Sequence, residues 1–430
     1  MTFSEPNHWP RRVAMISAHT CPLSVPGKYK TGGLNVYVLE LSRELSRRGV
    51  AVDVYTRLRD PEKPEVVWFA ERARVIHLVA GSPQGRCGDA VLFEHLPGFV
   101  DEIAQFAVQE DLTYELVHGH YWLSGWVAAQ LKGRWGTPMV QMFHTLGQVK
   151  NLVAQDGTPR EPPLRIETER WVVGQADRLV AVNSVESAQL IWFYGAKPEQ
   201  LHIVPGGVDT LLFRPIPKAQ ARRHLELEDG ARVVLFVGRL DPIKGIEVLF
   251  GAFARLCANH SSGPCRLLVV GGDRDRERDK LQALRETAAG LGVAPEVQFI
   301  GSVEQQHLPY YYSAADVCVV PSYSESFGLV AMEAMACGTP VIASRVGGLQ
   351  FTVQDGHTGF LVPPRDLSAL ADRMESLLRR PELAARMGKA GVERAREYSW
   401  ARVAESILAV YGELRQVARL PEGDKRAATF

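Results

Sequence analysis

The chain has 430 residues, 46% of them hydrophobic, with 49 Lys plus Arg against 49 Asp plus Glu. That length suits two or three domains, and the apolar content is enough for buried cores without extensive disorder. A formal charge of zero speaks against a dedicated nucleic-acid or membrane-surface binder, which carries a basic excess.

From the N-terminus, MTFSEPNHWPRR has charges and prolines but no apolar signal core, so a cytoplasmic protein is expected. No apolar run approaches the ~18 residues that a spanning helix needs. Cys21, Cys87, Cys257, Cys265, Cys318 and Cys337 form no CxxC pair and read as buried thiols in a reducing compartment.

Strands are expected at VAMIS (13–17), VDVYT (52–56), RVIHLVA (74–80), ELVHGH (115–120), PMVQMFH (138–144) and RLVAVN (178–183). These are nearly continuous apolar runs, the pattern of parallel strands covered on both faces. After the first of them, Leu34, Val38, Leu41 and Leu45 recur at helical spacing until Gly49. Gly and Pro punctuate VPGGVDTLLFRPIPK (204–218), which reads as an inter-domain hinge. The rhythm then restarts with RVVLFVG (232–238), RLLVVGG (266–272), EVQFIG (296–301), VCVVPS (317–322), PVIAS (340–344) and FLVP (360–363). Helical stretches at 246–257, 278–290, 303–313 and 327–336 separate them. Strands alternating with helices imply an α/β protein with a doubly wound parallel sheet, here twice. The expected domains are 1–208 and 209–400, a C-terminal helix at 401–418 crossing back to the first, and a flexible tail at 419–430. Open sheets bind ligands beyond the carboxyl ends of their strands, so a cleft between the two domains is the expected site.

In ESFGLVAME (325–333), Glu325 lies in a loop after a strand, and Phe327, Gly328 and Leu329 begin a helix. Its unpaired N–H groups and dipole attract phosphate. Glu333, inside the helix, can accept from two ribose hydroxyls while Glu325 accepts from sugar hydroxyls. Two glutamates alone would suit an ordinary surface helix; the strand–helix boundaries on either side tip the balance. In VGRLDPIKG (237–245), Arg239 follows a strand and Lys244 sits at the start of the next helix. Two cations there can hold a diphosphate, whereas a solvated turn accounts easily for only one. TGGLNVYV (31–38) places Gly32 and Gly33 at another strand–helix turn, a weaker signal because tight turns use glycine for steric reasons. His120 and His144 each end a strand, while His118 reads as a core residue. No further ligands stand near the histidines at metal spacing. DRDRERD (273–279) contains a D-x-D but belongs to an alternating charge run. GxSxG, P-loop and HExxH motifs are absent from the sequence.

Together TGGLNVYV, HGHYWLSG, FHTLGQVKN, VPGGVD, VGRLDPIKG and ESFGLVAMEAMACGTPVIASRVGGL resemble glycosyltransferase family four, over about residues 12–415. The branch they are similar to holds sucrose-phosphate synthases, sucrose synthases and the mycothiol-pathway N-acetylglucosaminyltransferase. The resemblance implies the GT-B fold, two Rossmann-like doubly wound domains facing a central cleft. It also implies transfer from a nucleotide sugar with retention and without a metal or other cofactor. Carried over, Arg239 and Lys244 bind the donor diphosphate, Glu333 the ribose, and Glu325 the sugar hydroxyls with the amides of Phe327, Gly328 and Leu329. Gly32, Gly33 and Asn35 approach phosphate and acceptor, and His144 contacts the donor sugar. His144, Arg239, Lys244 and Glu325 form the catalytic set.

Tyr121, Thr145 and Arg165 match acceptor-phosphate contacts of the mycothiol enzyme; a lysine expected near 86–95 is missing and Arg86 stands there instead. The leading expectation is glucose transfer from UDP-glucose to fructose 6-phosphate, as in sucrose-phosphate synthase. The second is N-acetylglucosamine transfer to inositol 1-phosphate, and a nucleotide-sugar sensor is an alternative of another class. Backbone around Gln298–Gly301 is a candidate for reading the base. The expected partners are a nucleotide sugar and a small phosphorylated acceptor, with no nucleic acid or membrane, in a monomer or homodimer.

Overall fold

The computed structural model describes residues 9–24, 32–81, 88–154, 160–228, 230–258, 264–272 and 277–419, the last four of these by backbone only. Arg86, Cys87, the first four residues of DRDRERD and the tail beyond Arg419 lie outside the described residues. The chain divides into two compact units. One takes the residues up to Ser24, Leu34–Pro205 and everything from Trp400 onward; the other takes Gly206–Ser399 with Gly32 and Gly33. The chain thus changes unit after Pro205 and after Ser399, where the sequence pattern places the boundaries after 208 and 400.

The first unit is built on eight strands: β1 (Arg12–Ile16), β2 (Ala51–Arg57), β3 (Val66–Ala70), β4 (Ala73–Leu78), β5 (Leu116–His120), β6 (Met139–Met142), β7 (Arg178–Ala181) and β8 (Leu201–Ile203). Their order is β3-β4-β2-β1-β5-β6-β7-β8, with every pair parallel except β3 and β4. Six of them fall on the apolar runs. The other two, β3 and β8, lie at the sheet's edges with mostly half-buried residues, so neither carries the continuous apolar signature of a covered strand.

Helix Gly33–Arg47 follows β1 and buries Tyr37, Val38, Leu41 and Leu45. The chain leaves it at Gly49 (φ +85°), where Gly49 N–H bonds Ser46 O and Val50 N–H bonds Leu45 O. The last helix, Trp400–Arg419, takes in Arg419 as well and belongs to this unit. It buries Val403, Ile407, Leu408, Tyr411 and Leu414.

The second unit has six strands: β9 (Arg232–Val237), β10 (Cys265–Val270), β11 (Val297–Gly301), β12 (Val317–Val320), β13 (Val341–Ser344) and β14 (Gly359–Val362). The order is β11-β10-β9-β12-β13-β14, all parallel. Helices such as Ile246–Ala258, Arg278–Gly290 and Leu367–Arg379 cover the sheet, and their apolar faces meet β9, β10 and β12 in one core. Both units are therefore doubly wound α/β structures, and in both the motif residues follow the carboxyl ends of strands. No helix among the described residues is long and apolar enough to cross a membrane.

Candidate functional site

In the first unit, β5 and β6 deliver two histidines side by side. His120 is the last residue of β5, and His144 lies two residues beyond β6 in the left-handed region (φ +61°). Tyr121, next to His120, is also left-handed (φ +80°). Non-glycine residues hold such conformations only where their surroundings over-determine them, and they cluster at functional sites. His120 Nδ1 and His144 Nε2 are 2.9 Å apart. The His118 ring lies 4.2 Å from that of His120, and its Nδ1 meets the Tyr411 hydroxyl of the last helix at 2.7 Å. Tyr37 packs edge-on against His144. Burial pushes His118 and His144 down to about 3, in His144 assisted by His118 and His19, and holds His120 well below its ordinary value. The three rings are neutral over the physiological range. His118, read from sequence as a core residue, is fully buried.

Tyr121, Thr145 and Arg165 come together in the same unit. Arg165, on helix Pro163–Gln175, has a side chain only 1% exposed. Its five N–H donors are all engaged: Nε to Glu169 (2.8 Å), Nη1 to the Tyr121 hydroxyl (3.1 Å) and Glu161 (3.0 Å), and Nη2 to Thr145 O and Oγ1 (2.9 and 3.0 Å). Tyr121 in turn donates to Asp89 at 2.8 Å. Burial opposes the guanidinium's charge, but Tyr121, Glu169 and Glu161 outweigh it and raise its pKa. Glu169 is a fully buried counter-ion that also accepts from Gly147 N–H (2.9 Å) and the Tyr194 hydroxyl (2.5 Å). The sequence reading did not single out Glu161, Glu169, Asp89 or Lys150. For Glu169 the signal was present as the Arg–Glu spacing of four on one helix face.

Asn35 is buried and engaged elsewhere in the unit. Its Nδ2 donates to Thr20 Oγ1 (2.9 Å) and Cys21 O (2.6 Å), closing the loop after β1. Gly33 is the first residue of its helix, and Gly32 precedes it.

In the second unit, Lys244 ends a short 3-10 turn, Pro242–Lys244, and does not open the helix itself, which begins at Ile246. Gly245 makes the join at φ +66°, and a Cβ there would stand 2.2 Å from Pro321 O. Only glycine lets this turn close onto the end of β12. That approach puts Lys244 Nζ 2.6 Å from Glu325 Oε2, joining two motifs 81 positions apart. Arg239 is 43% exposed and pairs with Asp241 at 3.1 Å. Burial opposes ionisation of Asp241, but Arg239, Lys280 and Lys244 together lower its pKa.

Glu325 O accepts from Gly348 N–H at 2.8 Å, and Phe327 O from the Thr352 hydroxyl at 2.6 Å, fixing the loop. Helix Leu329–Ala336 starts two residues later than the sequence suggests, because Gly328 (φ +94°) is its N-cap. A Cβ at Gly328 would press into Leu349 at 2.6 Å. The first helical bond, Met332 N–H to Gly328 O, leaves the amides of Leu329, Val330 and Ala331 at the helix start. Glu333 is buried and accepts the Tyr312 hydroxyl at 2.7 Å. Burial raises its pKa to about 7 in spite of that bond. A cavity of about 450 Å³ lies apart from these residues, beside β11, lined by His224, Glu226, Leu268, Gln298, Ile300 and Tyr311 among others. Of the residues read from sequence for a site it includes Gln298 and Ile300 of the Gln298–Gly301 stretch.

Residues 31–211 match the family described as Glycosyltransferase Family 4, and residues 217–394 match Glycosyl transferases group 1. The chain is 43% identical over 405 residues to a D-inositol 3-phosphate glycosyltransferase of Acidothermus cellulolyticus, covering 94% of this chain and 90% of that one. A protein with the same name from Geodermatophilus obscurus is 43% identical over 406 residues, covering 94% and 89%. Among solved structures, a sucrose-phosphate synthase from Thermosynechococcus elongatus superposes with a TM-score of 0.86 at 39% identity, covering 94% of this chain and 99% of that one. The Anabaena protein HepE, solved with UDP and glucose, shares the fold at a TM-score of 0.73 and 20% identity, covering 94% and 100%.

Proposed function

The chain belongs to the family-four, group 1 glycosyltransferases with the GT-B fold, and on that premise we propose that it moves a hexose from a nucleoside diphosphate sugar to a small phosphorylated acceptor, with retention and without a metal. The observation that carries the donor half is the meeting of Lys244 with Glu325 beside the open amides of helix Leu329–Ala336. A diphosphate placed there replaces the carboxylate on Lys244, takes charge from Arg239, and lies at a helix N-terminus whose dipole favours anions. Glu325, released from Lys244, becomes an acceptor for sugar hydroxyls, and Glu333 for those of the ribose.

The chemistry follows from the same charges. As the bond from the anomeric carbon to the diphosphate oxygen lengthens, negative charge grows on the leaving group. In this reading Lys244, Arg239 and the helix amides stabilise it. The acceptor hydroxyl attacks on the face the diphosphate leaves, and its proton passes to the departing phosphate oxygen. Two built-in cations supply the charge a divalent ion would otherwise bring. Neutral His144 hydrogen-bonds the donor sugar and is no proton source near neutral pH.

The acceptor half rests on Tyr121, Thr145 and Arg165, which converge as a phosphate-binding set does. Fructose 6-phosphate with UDP-glucose, giving sucrose 6-phosphate, is the first reading, supported by the likeness to the Thermosynechococcus enzyme. Inositol 3-phosphate is the second, favoured by the names of the 43%-identical relatives. UDP release from purified protein with each sugar nucleotide and acceptor, in EDTA, separates them. Lys244→Ala lowers turnover by about a hundredfold or more while the protein stays folded. Near-normal turnover of that variant rejects the donor assignment, and activity abolished by EDTA rejects metal independence.

A further inference from the structure

The two carboxylates on Arg165 are not equivalent. Glu169 is fully buried and holds four bonds, to Gly147 N–H through two oxygens, to Tyr194 and to Arg165. Glu161 is 20% exposed and bridges Arg165 Nη1 to Lys150 Nζ through its two oxygens. Its backbone is pinned to Asn151, whose Oδ1 accepts from Glu161 N–H (2.7 Å) and whose Nδ2 donates to Glu161 O (3.1 Å). The carboxylate can therefore turn outward about its own side-chain bonds while the chain stays in place.

The charge count gives a reason for it to do so. Arg165 and Lys150 are already matched by Glu161 and Glu169, and Asp89 adds a third carboxylate one hydrogen bond away, on the Tyr121 hydroxyl. A phosphate dianion meets net negative charge there, on a guanidinium with no donor to spare. Turning Glu161 out removes one negative charge and returns an Nη1 donor and the Lys150 ammonium together. Their spacing already suits an oxyanion, because a carboxylate bridges them. Arg165 and Lys150 between them hold the Glu161 carboxyl below its ordinary pKa in spite of burial, so it occupies the place as an anion at neutral pH.

We propose that Glu161 is an internal stand-in for the acceptor's phosphate, and that the phosphate binds by displacing it and taking over Lys150 and Arg165. This rests on the reading of Tyr121, Thr145 and Arg165 as the acceptor-phosphate site. Lys150 thereby becomes a specificity-determining residue, filling the role of the lysine missing between 86 and 95. Acceptors without phosphate leave Glu161 in place and gain nothing from Lys150 or Arg165, so discrimination comes from the two cations.

The test is calorimetric titration of the full chain with fructose 6-phosphate, inositol 3-phosphate, inorganic phosphate and the unphosphorylated fructose and inositol. Glu161→Gln is expected to tighten the phosphorylated acceptor, and inorganic phosphate with it, by about tenfold. Its KM for that acceptor falls in step, and weak binding of the unphosphorylated compounds does not change. Lys150→Gln weakens the phosphorylated acceptor by a similar factor. Unchanged or weaker phosphate binding in a Glu161→Gln protein that melts like the wild type overturns the stand-in role, and Glu161→Ala repeats the measurement should the first variant fold poorly. If wild type binds the phosphorylated acceptor and only the Glu161 and Lys150 variants behave like it, the inference fails and the acceptor reading survives. If neither wild type nor Glu161→Gln binds any phosphorylated compound, both fail.

Discussion

Glu333→Gln keeps the shape of the side chain and an oxygen for the Tyr312 hydroxyl, but removes the ionisation. In the folded protein burial raises this carboxyl to about 7, against an ordinary 4.5. Below about pH 4.5 it is protonated whether the chain is folded or not, so its burial costs nothing. As pH rises from there, the unfolded chain ionises first and the folded state loses ground until about pH 7, where the penalty is complete. At about 1.4 kcal/mol per pH unit the penalty reaches roughly 3 kcal/mol. The E333Q protein should therefore gain about 2–3 kcal/mol in the second unit at pH 8 and almost nothing at pH 4.5, while binding UDP more weakly. All eight tryptophans belong to the first unit, so indole fluorescence is blind to this transition. Scanning calorimetry or far-UV dichroism, at pH 5 and 8, reads it. A gain equal at both pH values, or a loss at pH 8, refutes the reasoning that this carboxylate is held ionised against its burial.

Two further outcomes follow from single contacts. Gly245→Ala forces a Cβ to φ +66° and to 2.2 Å from Pro321 O. It should cost about 2 kcal/mol or more and weaken binding of the sugar nucleotide, since the turn carries Lys244; unchanged melting and affinity would count against the close packing of that turn. Tyr411→Phe removes the hydroxyl on His118 Nδ1 and leaves a buried nitrogen without its partner, at about 1–2 kcal/mol. Urea unfolding followed by tryptophan fluorescence should show that loss in the first unit, and a midpoint equal to wild type would mean the bond contributes nothing.

The alternation of strands and helices was legible because covered parallel strands such as RVVLFV and VCVV are apolar from end to end. Strand β3 was not, since it pairs antiparallel at an edge and keeps its residues half-buried, with Trp68 exposed, and β8 is three residues long. The motif residues were legible as strand ends. Their pairings were not: nothing in the sequence sets Lys244 on Glu325, a distance made by the adjacency of β9 and β12 in the sheet, or Lys150 and Arg165 on the two oxygens of Glu161, which depends on how two successive helices pack. The positive φ of His144 and Tyr121 was equally hidden, since neither residue type announces it. Glu169 stands one helical turn from Arg165, and local spacing alone could have nominated it, whereas Glu161 precedes the helix that starts at Pro163.

The division of the chain into units bears on how the protein is made. The second unit is, but for Gly32 and Gly33, one unbroken stretch that ends at Ser399, whereas the first is completed only by the helix from Trp400. Domains usually fold in the order they leave the ribosome, at about 5–20 residues per second. Here His118 waits for Tyr411, 293 residues downstream, an interval of roughly 15–60 s at that speed. In that time the second unit has emerged whole and can close by itself, while the surface destined for Val403, Ile407 and Leu408 stays bare. The later-synthesised half is therefore the first to finish, and the nascent chain spends its longest vulnerable period with its N-terminal half incomplete, the stage at which a chaperone or a truncated message would matter most.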